Sequence, residues 1–275
     1  MQADITLGQF LPGNSPIHRL DPRTKILLMI VYIVMIFLIK NTAAVCLLVF
    51  ALPTVLLLLM FALARVPGSY LWSSIKPIRW LVLFMFVINL FFTQGETVLW
   101  SWWIVRITSE ALLQALFITL RLVLLIAGTS MLTLTTSPIA LTDGLERLLG
   151  PLKAFHFPAH ELAMMMTIAL RFIPTLMEET DRIQKAQMAR GADFETGNLI
   201  ARAKSMIPIL VPLFVSAFRR ADELAMAMES RCYHGGEGRT RMRELHFHVG
   251  DAVATGVMVL FTVAILLLQK ILLSV

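Results

Sequence analysis

The segment ALLQALFITLRLVLLIAGTSMLTL, residues 111–134, holds one charge, Arg121, in an otherwise apolar run. A membrane-crossing helix needs about 20 predominantly apolar residues, within a range of roughly 17–25, and this run meets that length. The composition agrees. Of 275 residues, 57% are apolar and 15% charged, against about 45–50% and about 25% in soluble domains. That balance excludes a disordered chain, a collagen-like chain and an ordinary soluble enzyme, and it fits an integral membrane protein. Two cysteines, Cys46 and Cys232, are too few for a disulfide framework or a cysteine zinc site.

Working outward, further apolar runs cover Ile26 to Ile39, Ala43 to Ala64 (interrupted by Pro53 and Thr54), Trp80 to Phe92 and Ala252 to Leu268. The second and last of these are long enough to span. The first and third reach the length only if polar flanks such as Thr24, Lys25, Lys40 or Thr93 extend the helix. The stretch Val98 to Val105 carries Trp100, Trp102 and Trp103, residues that favour the membrane interface. It reads as a loop or short helix at the surface, or as one more span. The expected fold is an all-α integral membrane protein with five transmembrane helices, six if that stretch crosses. Residues 1–136 form the N-terminal membrane helices, 137–248 a cytoplasmic domain of long amphipathic helices, and 249–275 a C-terminal transmembrane helix. Met1 to Asp21 lacks the basic start, apolar run and small-residue site of a signal peptide.

The formal charge is +6, from 24 Lys and Arg against 18 Asp and Glu. On a soluble protein this would suggest nucleic acid; in a membrane protein the placement of the cations matters more. With five spans, 20 of the 24 lie on one side: in the N-terminal segment, between the second and third spans (Arg65, Lys76, Arg79), and in 137–248. The positive-inside rule makes that side, with the N-terminus, cytoplasmic.

The region 137–248 is too polar for lipid and too apolar for a plain loop. Ser137-Pro138 supplies an N-cap and a proline at the first helical position, and Gly150-Pro151 ends that helix. A second helix is expected from about Pro158 to Arg190, kinked near Pro174, and a third from about Leu199 to Tyr233. Each has an apolar stripe: Leu162, Met166, Ala169, Ile173, Leu176, Thr180 and Ile183 in one, Ile207, Leu210, Phe214, Ala217, Ala221, Leu224 and Met228 in the other. Such a face packs on a partner helix or lies at the membrane surface. The helix ends resemble each other. One reads Ala186-Gln-Met-Ala189-Arg190-Gly191, the other Ala227-Met-Glu-Ser230-Arg231-Cys232. Small residues allow close backbone approach, and Arg offers a rigid five-donor fork suited to an interface carboxylate or carbonyl. Each Arg also complements the negative end of its helix dipole, which for one such Arg is the commoner reading, but two matching ends 41 residues apart favour a partner.

These motifs together resemble the transmembrane T component family (EcfT, with its CbiQ and BioN types) of energy-coupling factor transporters. The likeness rests on His18-Arg-Leu-Asp21-Pro-Arg-Thr-Lys25 before the first span, Ala169-Leu-Arg171-Phe-Ile-Pro174 ahead of Ala189-Arg190-Gly191, then Pro212-Leu-Phe-Val-Ser216, Arg219-Arg220-Ala-Asp-Glu223 and Arg231-Cys-Tyr233. Their order covers nearly the whole chain. The resemblance implies a non-enzymatic scaffold in a prokaryotic plasma membrane. Its partners would be two cytoplasmic ABC-type ATPases (EcfA and EcfA′) and a membrane S component that binds a vitamin or transition-metal ion. ATP and Mg would belong to the ATPases, with no cofactor on this chain. Two coupling helices would dock through Ala189, Arg190 and Gly191 and through Ser230, Arg231 and Cys232. Cys232 departs from the usual Gly, because Cys enters a positive φ only at a cost. Either that helix continues one turn to Gly235-Gly236, or its docking geometry differs.

No G-x-x-x-x-G-K-[ST] occurs, so the chain itself is not expected to hydrolyse ATP. His160-Glu161 begins an H-E-x-x-H, but the fifth position is Met164; no metal site is expected. His246 and His248 lack a nearby third ligand. Arg121 within an apolar run is either a functional charge or an interior Arg satisfied by backbone carbonyls or a polar group such as Asn89. Met164, Met165, Met166, Met226 and Met228 are flexible and polarizable, and they suit a platform that repacks against S components. The competing reading is a self-contained secondary transporter or channel, which would call for two similar membrane halves and buried midplane charges. An intramembrane enzyme would need a cluster of ligands or nucleophiles that the sequence does not show.

Overall fold

The computed structural model describes residues 10–40, 46–93, 97–102, 105–155, 157–194, 198–235 and 245–274. The chain forms two compact units, Met1–Leu145 with Leu245–Val275, and Glu146–Glu244.

Among its described residues the first unit is built mainly of helices. Helix α1, Pro22–Leu38, opens with Asp21, whose side chain accepts from the Arg23 N–H, and with proline at its first turn. Helix α2, Cys46–Ala64, runs through Pro53, beside which the Thr54 hydroxyl donates to Phe50 O at 2.7 Å. It closes on Arg65 in a left-handed conformation (φ 54°). There Val66 N–H bonds back to Phe61 O and Arg65 N–H to Ala62 O, the Schellman pattern. Next come α3, Gly68–Ile75, a 3₁₀ turn at Lys76–Ile78, and α4, Arg79–Phe92. Helix α5 is Ser109–Thr135 and α10 is Val249–Ser274.

The described residues include three helices long and apolar enough to cross a membrane: Gly68–Phe92, Ser109–Thr135 and Val249–Leu272. Helix α1, at 17 residues, covers about 25 Å at ~1.5 Å per residue, just short of a hydrocarbon core of about 30 Å. The chain is an all-α membrane protein. Two local expectations are corrected. The third run gains its length not at Thr93 but backwards to Gly68, so Lys76 and Arg79 sit within a helical segment rather than a loop. Pro77 lacks the N–H of a continuing α-helix, and at that point the segment passes through the 3₁₀ turn Lys76–Ile78 between α3 and α4. The tryptophan-rich stretch is neither loop, helix nor span but an antiparallel pair, β1 (Val98–Trp102) and β2 (Val105–Thr108).

The core of this unit joins α1, α2, α5 and α10 through Tyr32, Met35, Ile36, Phe50, Phe117, Leu124, Met131, Met258 and Ile265. Phe50 and Phe117 stack with centroids 5.9 Å apart. The Tyr32 ring lies against Gly128, where any Cβ would collide with it, and its hydroxyl donates to Leu124 O at 3.2 Å. Glycine here lets two helices approach closely, as membrane helices do. The outward faces are apolar and exposed, as at Phe37, Leu58, Phe84 and Leu260, which suits lipid contact.

A buried polar clasp joins α1, α5 and α10. Asp251, in the first turn of α10, accepts from Asp21 N–H and from His248 N–H, both at 2.8 Å. Arg23 donates to Leu245 O at 3.2 Å and lies 5.3 Å from the Phe247 ring centroid. Lys25 donates to Thr135 O at the end of α5 (2.9 Å) and to His18 O (3.2 Å). Asp21, Lys25 and Asp251 are all buried. Removing a buried acceptor strands its donors, at about 1–3 kcal/mol or more for a charged group. Asp251→Ala should therefore lower the thermal midpoint in detergent, with Asp251→Asn losing less. An unchanged midpoint in Asp251→Ala would show that the clasp adds nothing to stability.

Candidate functional site: two helix ends on one antiparallel pair

The second unit holds the end of α6 (Pro138–Leu149), a 3₁₀ segment Gly150–Phe155, α7 (Ala159–Ala189), α8 (Leu199–Ser205) and α9 (Ile207–Glu229). Helix α7 runs through Pro174 as one element. The expected third helix is divided: Met206 separates α8 from α9, and Pro208 stands in the first turn of α9. The missing N–H of Pro208 explains the break.

Helices α7 and α9 pack antiparallel. Glu179 on α7 accepts from the Ser216 hydroxyl at 2.7 Å and from Arg220 Nη2 at 3.4 Å. Arg220 also lies 5.8 Å from the Phe172 ring centroid. Nearer the end of α7, Gln187 Nε2 donates to Pro208 O at 3.4 Å. The Arg220–Glu179 pair is about one-third exposed on each side, so it contributes no more than about 1 kcal/mol and acts chiefly to fix register. The expected stripes are split. Their later parts, such as Leu176, Ile183, Ala217 and Leu224, are half-buried, while Leu162, Met166, Ile173, Ile207, Leu210 and Phe214 are exposed.

Antiparallel packing sends the two arginine-bearing ends to opposite ends of the pair. From the Glu179–Ser216 crossing, Arg190 lies about three turns and Arg231 about four turns along their helices. Both close with the same three hydrogen bonds. At the first, Arg190 N–H and Ala192 N–H reach Gln187 O, and Gly191 N–H reaches Met188 O. At the second, Arg231 N–H and Tyr233 N–H reach Met228 O, and Cys232 N–H reaches Glu229 O. Both are Schellman closures. Gly191 takes φ 86° and Cys232 φ 58°. Helix α9 thus ends at Glu229 and does not run on to Gly235-Gly236; Cys232 adopts the left-handed position despite its Cβ. That conformation costs a non-glycine residue roughly 1–2 kcal/mol.

Ala189, Arg190, Gly191, Ser230, Arg231 and Cys232 are all exposed. Of the methionines, Met165, Met166 and Met226 are exposed, and Met164 and Met228 are half-buried. The antiparallel pairing places Met164–Met166, early in α7, and Met226 and Met228, late in α9, at the same end of the pair. Arg121 belongs to the first unit. Its Nη2 donates to Ile39 O at 2.7 Å, just past the end of α1, and its guanidinium lies 5.8 Å from the Phe50 ring centroid and 6.0 Å from that of Phe37. Asn89 donates to Met85 O instead. His160 Nδ1 pairs with Glu146 Oε1 at 3.0 Å. Among the described residues no three His, Cys, Asp or Glu side chains group as metal ligands. Gln187 and Ser216 lie within the quoted motifs and Glu179 beside the stripe, but nothing in the sequence marks the contacts they make. Glu179 lies off the apolar stripe, and charges off a stripe read as solvated.

Residues 13–242 match the protein family described as CbiQ, cobalt transport protein. Curated relatives named energy-coupling factor transporter transmembrane protein EcfT include one from Acidaminococcus fermentans, 55% identical over 94% of each chain. Another, from Thermosediminibacter oceani, is 54% identical over 93% of this chain and 95% of its own. The Bacillus subtilis protein is 49% identical over 89% and 91%. A family match over most of the chain and identities this high over nearly full lengths place the chain firmly: it belongs to the family of energy-coupling factor transporter transmembrane proteins.

Proposed function

We propose that the chain is the energy-coupling scaffold of its transporter, joining two cytoplasmic ABC-type ATPases to a membrane S component that binds a vitamin or transition-metal ion. The observation that carries this reading is the pair of matching helix ends. Two partners of one fold need two similar docking elements far enough apart to be held separately. Arg190 and Arg231 sit on opposite ends of one antiparallel pair, with the same backbone closure and with exposed side chains. A rigid fork on a capped, preorganised helix end loses little entropy on docking. The pair itself is the lever: a push at either end is carried along α7 and α9, which are tied at Glu179.

On this reading ATP and Mg are bound and used by the ATPases, and this chain takes no catalytic part. The basic side, including residues 137–248 and the N-terminus, faces the cytoplasm of a prokaryotic cell, and the chain crosses the membrane several times. The exposed methionines at one end of the pair receive the S component, because flexible, polarizable side chains repack against differing surfaces.

Charge reversal tests the docking. Arg190→Glu should weaken retention of one ATPase and Arg231→Glu of the other, each by at least the roughly 2–5 kcal/mol typical of breaking a buried charged contact. Transport should fall while membrane insertion is unchanged. Normal transport by both variants would reduce these arginines to helix-end charges. Replacing Met164, Met165 and Met166 together by Ala should reduce co-purification of the S component more than that of the ATPases. Equal loss of both would indicate unfolding instead.

A further inference from the structure

We infer that Trp72, Lys76, Arg79 and Trp80 form a site for the phosphate headgroup of an anionic phospholipid, on the outward side of the α3–α4 segment. Gly68–Phe92 is long and apolar enough to cross a membrane, and its two sides differ. One side packs on α5, with Ser74 buried and Ile75, Ile78, Val82 and Met85 half-buried. The other presents Leu83, Phe84 and Phe91, exposed as lipid-facing residues are. On that same side, nearer Gly68, stand Trp72 and Trp80, each 68% exposed, and the exposed cations Lys76 and Arg79. Steps of three or four residues keep a common helix face, and the run from Trp72 through Lys76 and Arg79 to Leu83 follows them.

The local backbone brings the two cations together. Lys76–Ile78 is a 3₁₀ turn closed by the Arg79 N–H on Lys76 O, and in a 3₁₀ turn side chains three apart are aligned rather than splayed. Among the described residues no carboxylate forms an ion pair with either cation. Two aligned like charges repel unless they share an anion. Depth sharpens the need. Helix α4 covers 14 residues from Arg79 to Phe92, about 21 Å at ~1.5 Å each, within a hydrocarbon core of about 30 Å. The cations thus stand on a lipid-facing surface short of the near boundary, where an uncompensated charge is costly. Helical side chains lean toward the N-terminus, here toward Gly68 and the near headgroups. The Arg79 guanidinium lies 5.5 Å from the Trp80 ring centroid, and tryptophan rings favour headgroup depth. A guanidinium fork beside an ammonium fits phosphate oxygens. A choline headgroup would bring a further cation to the pair, whereas an anionic headgroup neutralises it.

The site rests on the α3–α4 segment and not on the docking of partners; on the proposed orientation it faces the cytoplasmic leaflet. The test uses the full chain with Trp100→Phe, Trp102→Phe and Trp103→Phe, which leaves Trp72 and Trp80 as the only indoles. It is placed in nanodiscs of phosphatidylcholine and phosphatidylglycerol, with each lipid in turn carrying brominated acyl chains. Quenching of the indole fluorescence then measures contact with each lipid. The expected result is contact with phosphatidylglycerol several-fold above its share of the bilayer, falling toward that share in Lys76→Gln and in Arg79→Gln. Quenching in proportion to bilayer composition would overturn the inference. So would weak quenching by both lipids, since the face would then be covered by protein. Native mass spectra of the unsubstituted chain give a second reading that alters no tryptophan. Phosphatidylglycerol should remain bound in preference to phosphatidylcholine, and less of it when Lys76→Gln and Arg79→Gln are combined. Equal retention of the two lipids, or retention that the double variant leaves unchanged, would contradict the site.

Discussion

The Asp251 carboxylate is the constraint on which the membrane unit depends. Its two oxygens hold the backbone N–H groups of Asp21 and His248, and so fasten the entry to α1 onto the start of α10, the far end of the sequence. Lys25, one turn into α1, then ties the end of α5 by donating to Thr135 O. A buried carboxylate and ammonium gain little net stability over apolar packing. What they supply is position: charged groups without water must find these partners and no others. Apolar packing by itself carries little directional information, and the clasp adds it at the ends of α1, α5 and α10. With the clasp set, Gly128 can admit the Tyr32 ring, and Arg121 can meet the carbonyl of Ile39 beyond the end of α1.

The second unit is held differently. It carries two similar helix ends and keeps them apart. Antiparallel packing does this without extra chain, because successive helices point their C-termini in opposite directions. The two Schellman closures give the ends one shape. Cys232 holds that shape at a positive φ, where glycine would be cheaper. Strain of this kind persists where surrounding contacts impose it, and it clusters at functional positions. The three hydrogen bonds that close α9 place Cys232 in the position that Gly191 takes after α7.

Much of this was legible in the sequence. Apolar run length announces membrane helices, because hydrocarbon thickness is fixed, and the run around Arg121 appears as α5. Proline and the first Arg end marked α7 to within a residue or two, while the expected third helix is split at Met206 into α8 and α9. The misses have physical causes. Lys76 and Arg79 read as loop because charges usually end a span, yet the helical segment runs on past Pro77 through a 3₁₀ turn. The tryptophan stretch forms a hairpin because cross-strand pairing is not a property of local composition. Asp251 carried no signal, since its partner Asp21 is remote in sequence. The apolar stripes coincide with the packed face only in part: Leu176, Ile183, Ala217 and Leu224 are half-buried, but Ile207, Leu210, Phe214 and Ala221 are exposed. Ile209 and Leu213, off the stripe, are the covered apolar positions at the start of α9.

On the proposed function this chain works only with partners. A tagged full-length chain drawn from native membranes in mild detergent, with every co-purifying protein identified by mass spectrometry, is the direct test. Two P-loop ATPases and a small, very hydrophobic membrane protein, whose bound ligand names the cargo, should come down with it. A chain that comes down alone and still moves a solute across liposomes would contradict the proposed function.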